Sequence, residues 1–107
     1  MAQKDIVEGL VGVLLDSAAE LAERDDAAMD LGEFDDARAL NALYQVASNH
    51  AEDETLAASC GESIAQIWLR RGVCDEQILE ALHPSARREI LALISSKNRE
   101  LLSDSKR

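Results

Sequence analysis

The sequence predicts an all-α protein, a bundle of about five helices in a single domain. Residues that favour helices, above all Ala, Leu, Glu and Arg, are abundant, and runs typical of strands are scarce. Apolar residues recur at intervals of three and four positions, as on one face of a helix, and do not alternate as in a strand. The chain has 107 residues, enough for one independent core and too few for two.

The first third of the chain, residues 1–36, is predicted to be one helix followed by an acidic loop. We expect the helix to run from Ile6 to Glu23, with Asp5 as its N-cap. Its apolar face is broad and consists of Ile6, Leu10, Leu14, Ala18 and Leu21, widened by Val7, Val11 and Leu15. Acidic residues then crowd positions 24–36, which favours a long connection with one short helical turn at most.

The rest of the chain is predicted to contain four further helices. Their start signals are acidic caps or a proline: Asp35 or Asp36, Asp53, Asp75 and Pro84. The second helix ends near Asn49. The third ends near Arg71, where basic residues precede the stop signal Gly72.

The sequence also contains an internal repeat. The segment 36–43 recurs 39 residues later as 75–82, with the acidic cap and both leucines in matching places. Each copy is followed by a turn and a longer helix, which defines two helix-pair units at 36–71 and 75–102. Pairs of short helices cannot bury their own apolar faces, so this pattern predicts a short helical solenoid in which neighbouring pairs stack.

These units resemble the HEAT-like repeat family. The resemblance lies in the acid-capped helix at 32–43 and in the following helix at 53–68, which carries small residues where helices cross closely: Ala57, Ala58 and Gly61. It covers residues 32–71 and, more loosely, 73–102. It implies a HEAT-like α-solenoid and leaves the function open, because such repeats serve many roles.

A small acidic domain of this repeat type is also similar to the immunity proteins of bacterial toxin systems, including contact-dependent growth inhibition. The resemblance implies a protein that binds the toxic domain of a sister cell's effector, commonly a nuclease, and neutralises it. Nuclease sites are electropositive because their substrate is polyanionic, so a surface rich in carboxylates can compete for the same Arg and Lys side chains.

The charge of the chain is strongly acidic and unevenly distributed. Lys and Arg number 11 against 21 Asp and Glu, which gives a formal net charge of −10. Residues 1–36 hold 11 of the acids and 2 of the bases, whereas residues 37–107 hold 10 acids and 9 bases. Nucleic acids and anionic membranes are therefore poor partners, and a basic protein is the partner we expect.

The candidate partner-binding residues follow from this distribution. The main cluster is Asp25, Asp26, Asp30, Glu33, Asp35 and Asp36, with Glu52, Asp53 and Glu54 at adjoining turns. Glu62 and Gln66 are added because helical phase places them opposite the apolar stripe of the third helix. The alternative interpretation of the carboxylates is structural, as helix caps and as a solvated face that keeps the protein soluble.

No catalytic, cofactor or metal site is predicted. The possible metal ligands His50, Cys60, Cys74 and His83 contain no close pair, and the acidic segment lacks the ligand spacing of a calcium loop. Known phosphate-binding and hydrolase motifs are absent from the sequence, so we expect no enzyme. Cys60 and Trp68 fall on an apolar stripe, and they are expected in the core together with Tyr44.

Location and assembly follow from the same composition. The N-terminal residues lack the pattern of a signal peptide, and the longest uncharged apolar run, 9–15, is far shorter than the ~20 residues of a membrane span. We therefore expect a cytoplasmic protein, either a monomer or a weak homodimer that buries Val7, Val11 and Leu15 against a second copy. A HEAT-like scaffold for a cellular protein partner is the alternative to the immunity function.

Overall fold

The computed structural model describes the backbone of residues 2–103 and the side chains of residues 6–102, and within these bounds the chain is helical without strands. The helices are α1 (Ala2–Leu15), α2 (Leu21–Leu31), α3 (Ala37–Ala47), α4 (Glu54–Arg71), α5 (Glu76–Ala81), α6 (Pro84–Asn98) and α7 (Glu100–Ser103). The predicted all-α bundle is confirmed. The expected number of helices was too low, chiefly because the N-terminal third holds two.

The prediction of one helix from Ile6 to Glu23 was wrong. The first helix, α1, already includes Asp5, which therefore does not cap it, and it ends at Leu15. A turn follows, in which a side-chain oxygen of Asp16 accepts a hydrogen bond from the backbone N–H of Ala18 at 2.9 Å. This Asx-type turn ends the helix without glycine or proline, and so the sequence pattern missed the break.

The predicted acidic connection at 24–36 was also wrong, because helix α2 occupies most of it. Ala27, Ala28 and Leu31 form a narrow buried face on α2, and small side chains there let the helix pack closely on α1 and α4. The hydroxyl of Ser63 on α4 donates a hydrogen bond to the carbonyl of Ala28 at 2.6 Å. Packing against these neighbours stabilises a helix that exposes three carboxylates, Glu23, Asp26 and Asp30.

The later helices begin where the sequence predicts. Asp36, Asp53 and Asp75 each accept backbone N–H hydrogen bonds as N-caps of α3, α4 and α5. Gly72 ends α4 in the left-handed conformation, with φ of 70°, and Pro84 opens α6. Local signals therefore determine these boundaries.

The helices form two layers. Helices α2, α4 and α6 lie side by side with α4 in the middle, and α1 and α3 pack against each other on the other side of the core. Near α5, the backbone N–H of His83 donates to the carbonyl of Ala47 at the end of α3, at 2.8 Å. The pairs α1–α2 and α3–α4 thus each contribute one helix to either side of the core, and the hydrogen bond of His83 joins the start of α6 to the end of α3.

Helix α4 is the centre of the core. It is buried along most of its length, and its large apolar side chains are Leu56, Ile64, Ile67 and Trp68. The indole N–H of Trp68 donates to the hydroxyl of Tyr44 at 2.8 Å, and the two rings meet edge to face. Trp68 is fully buried and Tyr44 is partly buried, so the expected core role of both aromatic residues is confirmed.

One of the small residues in α4, Gly61, lies where two helices approach closely. A Cβ atom at Gly61 would lie 2.5 Å from the carbonyl oxygen of Ala86 and 2.8 Å from its Cα. Only glycine therefore permits this crossing of α4 and α6 at the observed distance. Ala57 is fully buried as well, whereas Ala58 is partly exposed.

Candidate protein-binding surface

One face of α2 presents a row of exposed carboxylates. Asp26 and Asp30 lie four residues apart on the helix and so share a face, and Glu33 follows in the turn after α2, where it lines the same groove as Asp30. All three are exposed, and among the described residues none of them forms an ion pair. Burial of the opposite face of α2 forces this row outward.

The position of these carboxylates is unfavourable for the helix itself. Asp30 lies in the last turn of α2, near the negative end of the helix dipole, and that turn contains no basic residue. Asp26 and Asp30 also repel each other at a spacing of four residues. The row therefore does not serve to cap or stabilise α2.

A second set of predicted binding residues is engaged inside the protein. Glu52 binds the guanidinium of Arg24 through contacts of 3.3 and 3.5 Å, and the two side chains are only 13% and 10% exposed. Arg24 also donates from Nε to the carbonyl of Leu14, at the end of α1, at 2.9 Å. We call Arg24, Glu52 and Leu14 the Arg24 clamp. Glu52 is an internal structural residue, which corrects its interpretation as an exposed contact.

Asp35 and Asp36 both bind arginines. Asp35 contacts Arg71 of α4 at 3.0 Å. Asp36 contacts Arg38 at 2.8 Å while it also caps α3, and its hydrogen bond raises the pKa of Arg38. Asp36 therefore has a structural role of its own, and Asp35 is exposed but already neutralised by a cation.

The remaining predicted carboxylates differ in their surroundings. Asp53 is exposed, and its side chain accepts the backbone N–H groups of Thr55 and Leu56 as the cap of α4. Glu54 is exposed beside it. Asp25 is half-buried, and its Oδ1 atom is buried without a hydrogen-bond partner in the part of the chain that the structure describes. These three do not continue the row on α2.

Glu62 and Gln66 are half-buried on α4. Gln66 lines an open groove of about 420 Å³ together with Glu33, Leu69, Arg70 and Lys97. Arg70 reaches from this groove to the carbonyl of Gly32 at 2.8 Å. The structure therefore brings Gln66 next to Glu33, although 33 residues separate them in sequence. Glu62 does not line this groove.

A second groove lies between α1 and the end of α2, and the sequence did not reveal it. Ile6, Leu10 and Phe34 give it apolar walls, Asp30 and Glu33 add carboxylates, and its volume is about 350 Å³. Because the sequence predicted residues 24–36 as a loop, it could not place Phe34 opposite α1. The only available signal was the unusual width of the apolar face of the first helix.

The exposed face of α1 differs from the predicted one. Val7 is fully buried within the chain, together with Leu14, and Val11 is half-buried. The expected dimer face of Val7, Val11 and Leu15 therefore does not exist as an exposed stripe, which is a correction. The large apolar residues that α1 exposes are Ile6, which lines the groove, Val13, which lies on the same side of the helix by phase, and Leu15, which lies on the opposite side.

The cysteines and histidines occupy structural positions. Cys60 is buried, and burial together with the nearby carboxylates of Glu52 and Asp25 raises its pKa to about 12. His50 and His83 lie with ring centroids 6.1 Å apart, and Nδ1 of His83 accepts the N–H of Ser85 as the cap of α6. Across the described residues, no three side chains of the metal-binding types come together as a metal site.

Two further observations concern the class of protein. None of the described helices combines the length and apolar character that crossing a membrane requires. Comparisons of the chain with protein-family models, with curated proteins and with solved structures gave no match. What the molecule binds is therefore inferred from the geometry of its own residues.

Proposed function

We propose that this protein is an immunity protein, which binds a basic toxin domain, a nuclease, and neutralises it by occluding its active site with an acidic surface. The observation that carries the proposal is the exposed row Asp26, Asp30 and Glu33 at the end of α2. These carboxylates form no ion pair among the described residues, and the position of Asp30 disfavours the helix that carries it. A cationic partner would offset both costs.

The arrangement of the helices supports a HEAT-like solenoid as the framework of this proposal. The first two pairs meet in both layers, α1 with α3 and α2 with α4, and α4 of the second pair contacts α6 of the third. The proposed repeats 36–71 and 75–102 correspond to the pairs α3–α4 and α5–α6, and α1–α2 supplies a third pair. In such a stack the acidic row lies on the first of the three described pairs, α1–α2.

Electrostatics would act mainly on the rate of association. Opposite charges steer the encounter of two proteins, and salt screens this effect over about 10 Å at 0.1 M ionic strength. Each exposed ion pair contributes only ~0–1 kcal/mol of affinity. We expect the association rate constant to fall steeply with salt and the dissociation rate constant to change little.

Affinity capture and growth rescue test the proposal. The wild-type protein is immobilised beside the variant Asp30→Lys/Glu33→Lys and the control Glu80→Lys/Glu89→Lys, which makes the same charge change elsewhere. Partners are captured from the source cell and identified by mass spectrometry. The expected partner is a basic domain that is toxic when expressed alone, and that the wild type and the control both bind and neutralise.

The same experiment separates the two candidate functions. Growth restored by wild type and control, but not by Asp30→Lys/Glu33→Lys, supports the immunity function through the α2 row. A captured partner that is not toxic contradicts it and favours the scaffold function. Equal capture and rescue by all three proteins contradicts the role of the row.

A further inference from the structure

We propose that the groove between α1 and the end of α2 receives an amphipathic, lysine- or arginine-rich helix of the partner, with an apolar side chain seated between Ile6, Leu10 and Phe34. This inference rests on the proposed function, since it takes the partner to be basic. Charge alone does not define where on the acidic surface a partner binds. The groove would provide a specific recognition site there.

The apolar part of the groove is exposed in the part of the chain that the structure describes. Ile6 is 51% exposed and Val13, two turns further along α1, is 36% exposed. Leu10 lies between them in helical phase and lines the groove with Phe34. Isolated exposed apolar residues are common, but a stripe that continues into a groove is typical of an interaction site.

The shape of α1 permits close approach beside this stripe. Gly9 lies next to Ile6 and Val13 in helical phase, and a Cβ atom at Gly9 would meet no other atom within 4 Å. The glycine is therefore not required by packing inside the protein. The surface it leaves is low enough for the backbone of an incoming helix to lie against α1.

The charges around the groove determine the kind of occupant. Asp30 and Glu33 line it together with the apolar residues, and Asp26 precedes them on the same face of α2. A second copy of this chain, with its net charge of −10, would bring like charges together, and an anionic lipid surface would be repelled in the same way. A helix with an apolar face flanked by cations fits both parts of the groove.

A designed peptide tests this inference with a defined probe. The probe is a fluorescently labelled peptide of about 14 residues, four helical turns, with leucines on one face and lysines on the other. A scrambled peptide of the same composition, without an apolar face, is the control ligand. Binding is measured by fluorescence anisotropy at several salt concentrations.

Matched variants assign the contribution of each part of the groove. Ile6→Ser removes an exposed apolar side chain from the groove, and Val73→Ser removes one of similar exposure, 46%, from outside it. Asp30→Asn/Glu33→Gln removes the charges, with Glu80→Gln/Glu89→Gln as its control. Because Ile6 is exposed, the variant Ile6→Ser keeps the fold, which circular dichroism verifies.

We expect the amphipathic peptide to bind the wild type more tightly than the scrambled one, and Ile6→Ser to weaken binding about fivefold or more while Val73→Ser does not. If Ile6→Ser binds the peptide as tightly as the wild type and only the charge variant binds less tightly, the groove is not the binding site. The acidic surface of the proposed function then stands. If only Ile6→Ser weakens binding and the charge variant does not, the assumption of a cationic partner, on which both proposals rest, is overturned. Absence of binding, or equal binding of the two peptides, overturns the proposal that the groove binds an amphipathic helix.

Discussion

Helices α2 and α4 lie side by side in one layer, yet they differ in their caps, in the charges of their last turns and in how much of their surface is buried. Helix α4 is capped by Asp53, ends in two arginines and Gly72, and buries side chains along most of its circumference. Helix α2 has no side-chain hydrogen bond at its N-cap residue, Glu20, and no basic residue in its last turn. The difference indicates that local sequence features stabilise α4, whereas α2 carries exposed carboxylates, Asp26 and Asp30, that form no ion pair among the described residues.

The reactivity of Cys60 gives the largest expected effect in this comparison. The thiol is buried in α4 and its pKa is raised to about 12, so the reactive thiolate is scarce at pH 8. Iodoacetamide should therefore label Cys60 about a thousandfold more slowly in the native protein than in urea. Mass spectrometry of the Cys74→Ser variant follows this site alone. Rapid native labelling would show that α4 is not the stable centre.

The same shift predicts a pH dependence of stability. Because the pKa of Cys60 is raised in the folded protein, its contribution to stability is complete below pH ~8.5, the ordinary pKa of cysteine. It is lost as the pH rises from there towards 12. Urea titrations at pH 7 and 10 should show the free energy of unfolding falling at the higher pH. Cys60→Ala should reduce this fall, and an equal fall in that variant would contradict the prediction.

The Arg24 clamp should give the largest effect of a single substitution. Glu52→Ala leaves the buried guanidinium of Arg24 without its carboxylate, and breaking such a pair costs about 3 kcal/mol. Urea denaturation measures the change in the free energy of unfolding. Glu80→Ala, an exposed carboxylate on α5, is the control and should change it by less than about 0.5 kcal/mol. Similar values for the two variants would show that Glu52 is solvated.

Two glycine substitutions, one in the core and one on the exposed side of α1, should change stability in opposite directions. Gly61→Ala places a methyl group against the backbone of Ala86, and the required separation of α4 from α6 should cost about 1–3 kcal/mol. Gly12→Ala in α1 meets open space and should stabilise the protein by about 0.5–1 kcal/mol, because alanine favours helices. Thermal and urea unfolding distinguish these opposite signs. A stabilising Gly61→Ala would mean that the two helices are farther apart.

The smallest expected effect is on the free energy of unfolding, when one carboxylate of α2 is neutralised. Asp30→Asn removes a negative charge from the end of the helix and relieves repulsion with Asp26, so the free energy of unfolding should rise by about 0.3–1 kcal/mol. The gain should shrink in high salt because the interaction is exposed. A loss of stability would mean that Asp30 has a structural role, and the contrast between α2 and α4 would weaken.

Local signals made much of the fold predictable. Acidic caps, Gly72 and Pro84 determine the limits of α3 to α6 because each acts on backbone groups one to three residues away. Helix α2 was missed because its stability depends on contacts across the chain, such as the hydrogen bond from Ser63 to Ala28. The break after Leu15 was missed because a single Asp16 side chain produces it.

The candidate surface was predictable only in outline. The acidic excess of residues 1–36 is visible in the sequence, and Asp26, Asp30 and Glu33 are exposed as expected. The ion pair between Arg24 and Glu52 joins residues 28 positions apart, and no local pattern shows it. The groove beside Ile6 likewise needs Phe34 to be brought opposite α1, which only the packing of α2 achieves.

The Arg24 clamp has a consequence for detecting ligands. It joins the end of α1, the body of α2 and the turn before α4, so the N-terminal pair cannot detach from the rest without breaking it. A molecule that occupies the α1–α2 face would therefore raise the melting temperature of the whole domain, by mass action on a single unfolding equilibrium. Differential scanning fluorimetry with a panel of cationic proteins would therefore detect a ligand bound at this face as a rise in the melting temperature.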